Sequence, residues 1–411
     1  MSFDIKKIRQ DFPMLTNEIK MQDKPLIFLD NSSTTFKPQQ VLDAMNEYYT
    51  TYNANSHRGD YDLCYKVDTK IEGVRKKLAS FVNAKENEVI FTSGTTMSIN
   101  MISNGYFRYI LNKGDVILLD ENEHASNVLP WFNLAHDLDL NIEYIPLNEN
   151  GEITIENLRK SLKKSVKVVS LAAVSNVLGN EIDVKEFAKI IHENGSLFVV
   201  DGAQSVPHRK TDFADMDIDF LVFSAHKMLG PTGVGCLVGK YHLLEEMNPM
   251  ISGGGNNVTF AKEKDVIYLN PPQKFESGTL NIAGIIGFGA AVDYLNNIGM
   301  DAIQTHEEEL KKYAIERLKE VKDIVVYNPH SKAGIITFNR KGVFAQDEAT
   351  LLNYKGVAVR SGLHCAKLLP YFLSEDATVR ASFYLYTSKE DVDRFIEILQ
   401  EGGDILDAYF N

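Results

Sequence analysis

Cysteine is scarce in this chain: 411 residues hold three, Cys64, Cys236 and Cys365, far apart and never as a CxxC pair. That excludes a disulfide framework and leaves each as a free thiol, buried or reactive. Long apolar runs are missing as well. No stretch approaches the ~18 to 20 residues that cross a bilayer, and the opening MSFDIKKIRQDFPML has no apolar centre like that of a secretory leader. The reading is a cytoplasmic protein without a membrane partner. Positive charge is in deficit, with 43 basic against 56 acidic side chains and a net charge of −13, which argues against general binding to nucleic acid. Low-complexity segments and short repeats are absent. What the chain does have is 44% hydrophobic and 10% aromatic residues, enough apolar surface to offset chain entropy, over a length that suggests two or three domains.

From about residue 89, short β-branched runs alternate with amphipathic stretches. EVIF, DVILLD (115–120), NIEYIPL (141–147), VKVVSLAAV (166–174), SLFVVD (196–201) and DFLVFS (219–224) read as buried strands, and 97–110, 126–138, 155–164 and 184–194 as helices between them. Short connections make a mostly parallel sheet covered on both faces the economical architecture, an α/β fold. Near residue 291 the pattern changes to a long helix (302–321), strands near 324–328 and 333–339, and helices near 346–354 and 388–400, a smaller α+β unit. The division expected is a helical arm over 1–20, a large α/β domain over 21–290 with lead-in helices near 38–50 and 68–82, and a small C-terminal domain over 291–411.

Ligands of open α/β sheets collect beyond the carboxyl ends of the strands. Four polar clusters stand there. Ser93-Gly94-Thr95-Thr96 follows EVIF and opens a helix, where free N–H groups and hydroxyls can hold a phosphate, although a helix cap explains them as well. Glu123-His124 follows VILLD, and an imidazole there can stack on a ring or move protons. Asp201 ends SLFVVD and can hold a cationic nitrogen, capping being the commoner role of such a carboxylate. Ser224-Ala225-His226-Lys227 follows DFLVFS, and a desolvated lysine can act as an amine nucleophile. A phosphate, a ring to stack on, a pyridine nitrogen to keep protonated and an aldehyde to capture together describe pyridoxal phosphate.

TSGTT, NEHASN, VVDGAQS, FSAHKMLGPTGVG, KFESGT and VRASFYLY resemble the aminotransferase class V family, and within it the SUF-type (group II) cysteine desulfurases, over about residues 20–400. The resemblance implies a fold-type I pyridoxal-phosphate-dependent transferase. Lys227 is then the Schiff-base lysine, Asp201 the partner of the pyridinium nitrogen, Gln204 a donor to the phenolic oxygen and His124 the ring-stacking acid/base. Thr95, Thr96, Ser224 and His226 fall to the phosphate, joined by Thr279 of KFESGT from a neighbouring subunit, which implies a homodimer. Arg380, with Arg360, falls to the substrate carboxylate, although a lone arginine is usually a surface ion pair. Cys365 in RSGLHCA becomes the thiolate that takes sulfur from L-cysteine as a persulfide, releasing alanine, on an exposed loop that serves a SufE- or SufU-type acceptor in iron–sulfur cluster assembly. Cys236, in apolar GVGCLVG, reads as a small buried hydrophobe, and Cys64 likewise. No metal is implied.

Four places depart from that pattern: Ser32-Ser33 stands where alanines are usual, Leu363 and Ala125 where histidines are, and Asn256-Asn257 where Glu-Met is. None carries a covalent or charge role in the scheme. A selenocysteine lyase or another class V β-elimination enzyme with the same cofactor site, and a binding or scaffold protein that has kept the fold, are the alternatives.

Overall fold

The computed structural model describes residues 3–56, 59–261 and 265–403. Its centre is a seven-stranded sheet of β1 (Val89–Thr92), β2 (Val116–Leu119), β3 (Asn141–Tyr144), β4 (Val166–Ala172), β5 (Leu197–Asp201), β6 (Phe220–Ser224) and β7 (Gly235–Gly239), in the order β1-β7-β6-β5-β4-β2-β3. The run from β6 to β3 is parallel, and β7 lies antiparallel to both β6 and β1. Successive side chains of a strand point to opposite faces. Accordingly Val116 and Leu118 enter one core cluster and Ile117 and Leu119 the other.

The helices α1 (Gln39–Thr51), α2 (Asp62–Phe81), α3 (Thr95–Ile102), α4 (Leu129–Leu138), α5 (Ile155–Ser161), α6 (Val184–Glu193) and α7 (Ile282–Ile298) accompany this sheet. Asp183 caps α6 by accepting the Glu186 N–H at 3.0 Å, a start signal legible in the sequence. The apolar α7 packs between α1 and α2, and it runs unbroken across residues 290 and 291, where the sequence suggested a division. No membrane-crossing length of apolar helix occurs among the described residues.

Beyond it α8 (Met300–Leu318), α9 (Ala345–Tyr354) and α10 (Lys389–Glu401) cover a second, antiparallel sheet of β8 (Ile324–Val326), β9 (Ile335–Arg340), β10 (Arg360–Gly362) and β11 (Thr378–Ser382), ordered β8-β9-β11-β10. The early stretch 27–30 belongs to this neighbourhood. Ile27–Phe28 pairs in parallel with Val357–Ala358, Asp30 bridges to Ser382, and Ile27 and Leu29 are buried in the C-terminal core. The chain thus threads one edge of the small sheet before building the large one, which sets residues 30–33 opposite residues 360–380.

Candidate active site

Strand ends β1, β5 and β6 bring three of the four polar clusters to one cavity of about 180 Å³, and the loop after β2 brings the fourth. Thr95, Thr96, His124, Asp201, Gln204, Ser224, His226, Lys227, Arg360 and Arg380 all line it. Gly94 makes the phosphate end possible. It has φ 142°, and a Cβ on Gly235 of β7 would lie 2.5 Å from its Cα, so two backbones meet where no side chain fits. The Thr95 N–H then donates to Ser224 Oγ at 2.9 Å, and Thr96 Oγ1 lies 2.7 Å from Ser126 Oγ. These groups surround the N-terminus of α3, whose free N–H groups and dipole favour an anion.

Lys227 is half-buried in the short turn after β6, and desolvation lowers its pKa to about 8 despite the attraction of Asp201. The uncharged amine is therefore far more accessible than for an ordinary lysine, a minor form near neutrality and the main one above about pH 8. Asp201 is buried too, and burial raises its pKa; Oδ1 accepts the Ala203 N–H at 2.9 Å, which leaves Oδ2 for a cationic N–H. Gln204 donates to the Ser32 carbonyl at 2.8 Å, keeping its second N–H free, while its Oε1 is buried without a partner. His124 Nδ1 accepts the Ser126 N–H at 3.1 Å. Burial, with Lys227, Arg360 and Arg380 nearby, pushes its pKa down to about 4. It is a neutral imidazole with its proton on Nε2. Burial likewise takes His226 to about 4.

Arg380 is buried, only 2% exposed, which removes the surface-ion-pair alternative. Nη1 donates to the Asn176 carbonyl at 2.8 Å, Nη2 to Ser33 Oγ at 2.9 Å and Asp30 Oδ1 at 3.2 Å, and Nε has no partner. Burial lowers its pKa to about 10. Arg360 donates from Nη1 to Ser33 Oγ at 2.9 Å and from Nη2 to Cys365 Sγ at 3.8 Å. Cys365 is half-buried rather than on an exposed loop. It and His364 have φ of 60° and 49°, and its carbonyl accepts the Ala125 N–H at 2.7 Å. Two left-handed non-glycine residues in succession are costly; they turn the thiol-bearing segment back on the loop after β2. Cys64 and Cys236 are buried, as expected.

Thr279 is exposed and away from this cavity, lining a separate concavity with Phe91, Ser93 and Glu276. Its own chain does not bring it to the phosphate end. Asp30, Ser33, Asn176, Ser126 and His364 were not singled out as site residues by the sequence reading. Asp30 had a signal, since it ends the apolar run LIFLD as Asp201 ends SLFVVD. Asn256 proves structural, its side chain binding Gly253, Ile251 and Lys274 backbone groups.

The residues fit pyridoxal phosphate on their own chemistry: a phosphate cradle at a helix start, a buried carboxylate with one oxygen to spare and a desolvated lysine share one cavity. Fold and cavity define an α/β enzyme of the pyridoxal-phosphate class. The aminotransferase class-V family model matches residues 27–395, and the chain belongs to that family. A probable cysteine desulfurase of Halalkalibacterium halodurans is 44% identical over 97% of each chain. The apo structure of a cysteine desulfurase from Thermococcus onnurineus NA1 superposes with a TM-score of 0.90 at 35% identity, covering 96% of this chain and 97% of that one. The cysteine desulfurase CsdA of Escherichia coli, in an S-sulfonic acid form, gives 0.90 at 31% identity over 99% of each. Such similarity sets the protein among the cysteine desulfurases.

Proposed function

We propose that the protein converts L-cysteine to L-alanine and carries the sulfur as a persulfide on Cys365, for delivery to an acceptor protein of SufE or SufU type in iron–sulfur cluster assembly. The observation that carries this reading is the meeting of Lys227, Arg360 and Arg380 around one cavity, with the Cys365 thiol 3.8 Å from Arg360 Nη2 behind it. When bound, pyridoxal phosphate supplies the electron-accepting ring that weakens the Cα–H and Cβ–S bonds of the amino acid. Asp201 keeps its ring nitrogen protonated, and Thr95, Thr96, Ser224 and His226 hold its phosphate, with Thr279 of a second copy in a homodimer.

Arg380 fixes the substrate carboxylate, a task suited to a guanidinium already held on Asn176 and Ser33. Uncharged Lys227 takes the α-proton at Nζ. The Cys365 thiolate attacks the substrate sulfur; the S–S bond forms as the Cβ–S bond breaks, and Cβ keeps the electron pair and gains a proton. His124, neutral, handles that proton through Nε2. One cysteine and one thiol give one alanine and one persulfide.

The test is turnover of the cofactor-loaded protein with L-cysteine, with and without an acceptor of this type. Alanine matched by persulfide, faster with the acceptor, supports the reading; turnover of selenocysteine alone, or none at all, overturns it. Cys365→Ala should keep the visible cofactor band and selenocysteine cleavage, because selenium leaves more readily, yet lose cysteine desulfuration. Full cysteine activity in that variant contradicts the role of Cys365.

A further inference from the structure

Ser33 sits at the junction of the two arginines. Its hydroxyl donates to Asp30 Oδ1 at 2.7 Å and accepts from Arg360 Nη1 and Arg380 Nη2, each at 2.9 Å. A hydroxyl has one proton and two lone pairs, so all its capacity is used. Arg360 and Arg380 face each other as register partners on β10 and β11, and Ser33, from the opposite end of the chain, joins their guanidiniums through one oxygen. From it a continuous path runs to the thiol: Arg380, Ser33, Arg360, Cys365 Sγ.

The charges in this corner are two guanidiniums against the single carboxylate of Asp30, which leaves room for one more negative charge. Arg380 Nε, buried without a partner, is a donor still to be used. An α-carboxylate supplies both the charge and the acceptor. Held apart by one oxygen, the two cations cannot adjust independently: a carboxylate drawn onto Arg380 reaches Arg360, and so the thiol, through Ser33.

We propose that Ser33 is a positioning residue that couples binding of the substrate carboxylate at Arg380 to the Arg360–Cys365 contact, which rests on the assignment of Arg380 to the carboxylate. The test uses the cofactor-loaded protein, with L-alanine, the product, as probe. In Ser33→Ala, KM for L-cysteine and the L-alanine dissociation constant, read from the visible absorbance of the bound cofactor, should both rise about tenfold, the loss expected for one hydrogen bond to a charged group. In the native protein L-alanine should change the rate at which iodoacetamide alkylates Cys365. In Ser33→Ala, saturating L-alanine should leave that rate unchanged. Ser33→Thr, which keeps the hydroxyl, should restore both. Native KM and native alkylation coupling in Ser33→Ala overturn the proposal, as does Ser33→Thr behaving like Ser33→Ala. Arg380→Lys separates the two layers: if it binds L-alanine as tightly as the native protein, the carboxylate assignment itself fails; if it loses binding while Ser33→Ala does not, only the role of Ser33 fails.

Discussion

Lys227 illustrates what burial does to a single side chain. With a pKa of about 8 in the fold and 10.5 as the ordinary value, the folded chain releases a proton that the unfolded chain retains between those limits. Stability from this residue therefore rises with pH across that window, and below it the buried ammonium is a cost. The cofactor-free Lys227→Met variant should be more stable than the native apo-protein at pH 7, with the gap closing as pH climbs from about 8 toward 10. Thermal unfolding of both proteins across that range checks this, and a gap independent of pH contradicts it. The residues at strand ends were legible because an apolar run ending in Asp, Ser or Lys is a local signal. Ser33 and Asn176 were not, since their partners lie hundreds of residues away and no spacing rule connects residue 33 to 380.

Among the elements, the segment Gln273–Phe275 and the residues after it are tied down by a buried ion pair. Arg75 of α2 meets Glu276 through Nη1–Oε1 at 2.8 Å and Nη2–Oε2 at 2.9 Å, and Glu276 Oε1 also accepts the Phe91 N–H at 2.9 Å. This bidentate knot holds the segment that carries Thr279 against the edge strand β1. Glu276→Ala leaves the guanidinium buried with only Glu72 for charge balance, and should cost about 3–5 kcal/mol, measured by denaturant unfolding; a cost below about 1 kcal/mol would show that the knot does little. Elements with period-3.6 or continuous β-branched patterns were predictable. Strand β7 was not, because its glycines at 235 and 239 mark close backbone approaches rather than strand propensity. Helix α7, apolar on nearly every side, lacks the amphipathic stripe that reveals a surface helix.

At the level of the whole molecule, the two arginines come from the C-terminal sheet, the thiol from the connection between its strands β10 and β11, and the phosphate cradle from the central sheet, so the cavity exists only when both are folded together. The α/β fold and its smaller partner were legible in the alternation of runs, whereas the pairing of residues 27–30 with the C-terminal unit was not, because a two-residue ladder and a single bridge leave no periodic trace. The proposed homodimer adds a further dependence. Thr279→Glu should repel the phosphate in the other subunit's site, and Lys227→Ala should inactivate its own. Hybrids formed by refolding the two variants together should regain activity in one site per dimer, while each variant alone stays inactive; no recovery in a verified hybrid contradicts the shared site.

In the proposed reaction sulfur passes from L-cysteine to one particular thiol. Mass analysis of peptides from the cofactor-loaded protein after brief exposure to L-cysteine tests it directly. One added sulfur atom is expected on the peptide that contains Cys365, in proportion to the alanine released, and none on those of Cys64 and Cys236. Alanine released with an unmodified Cys365, or sulfur on a buried cysteine instead, would contradict it.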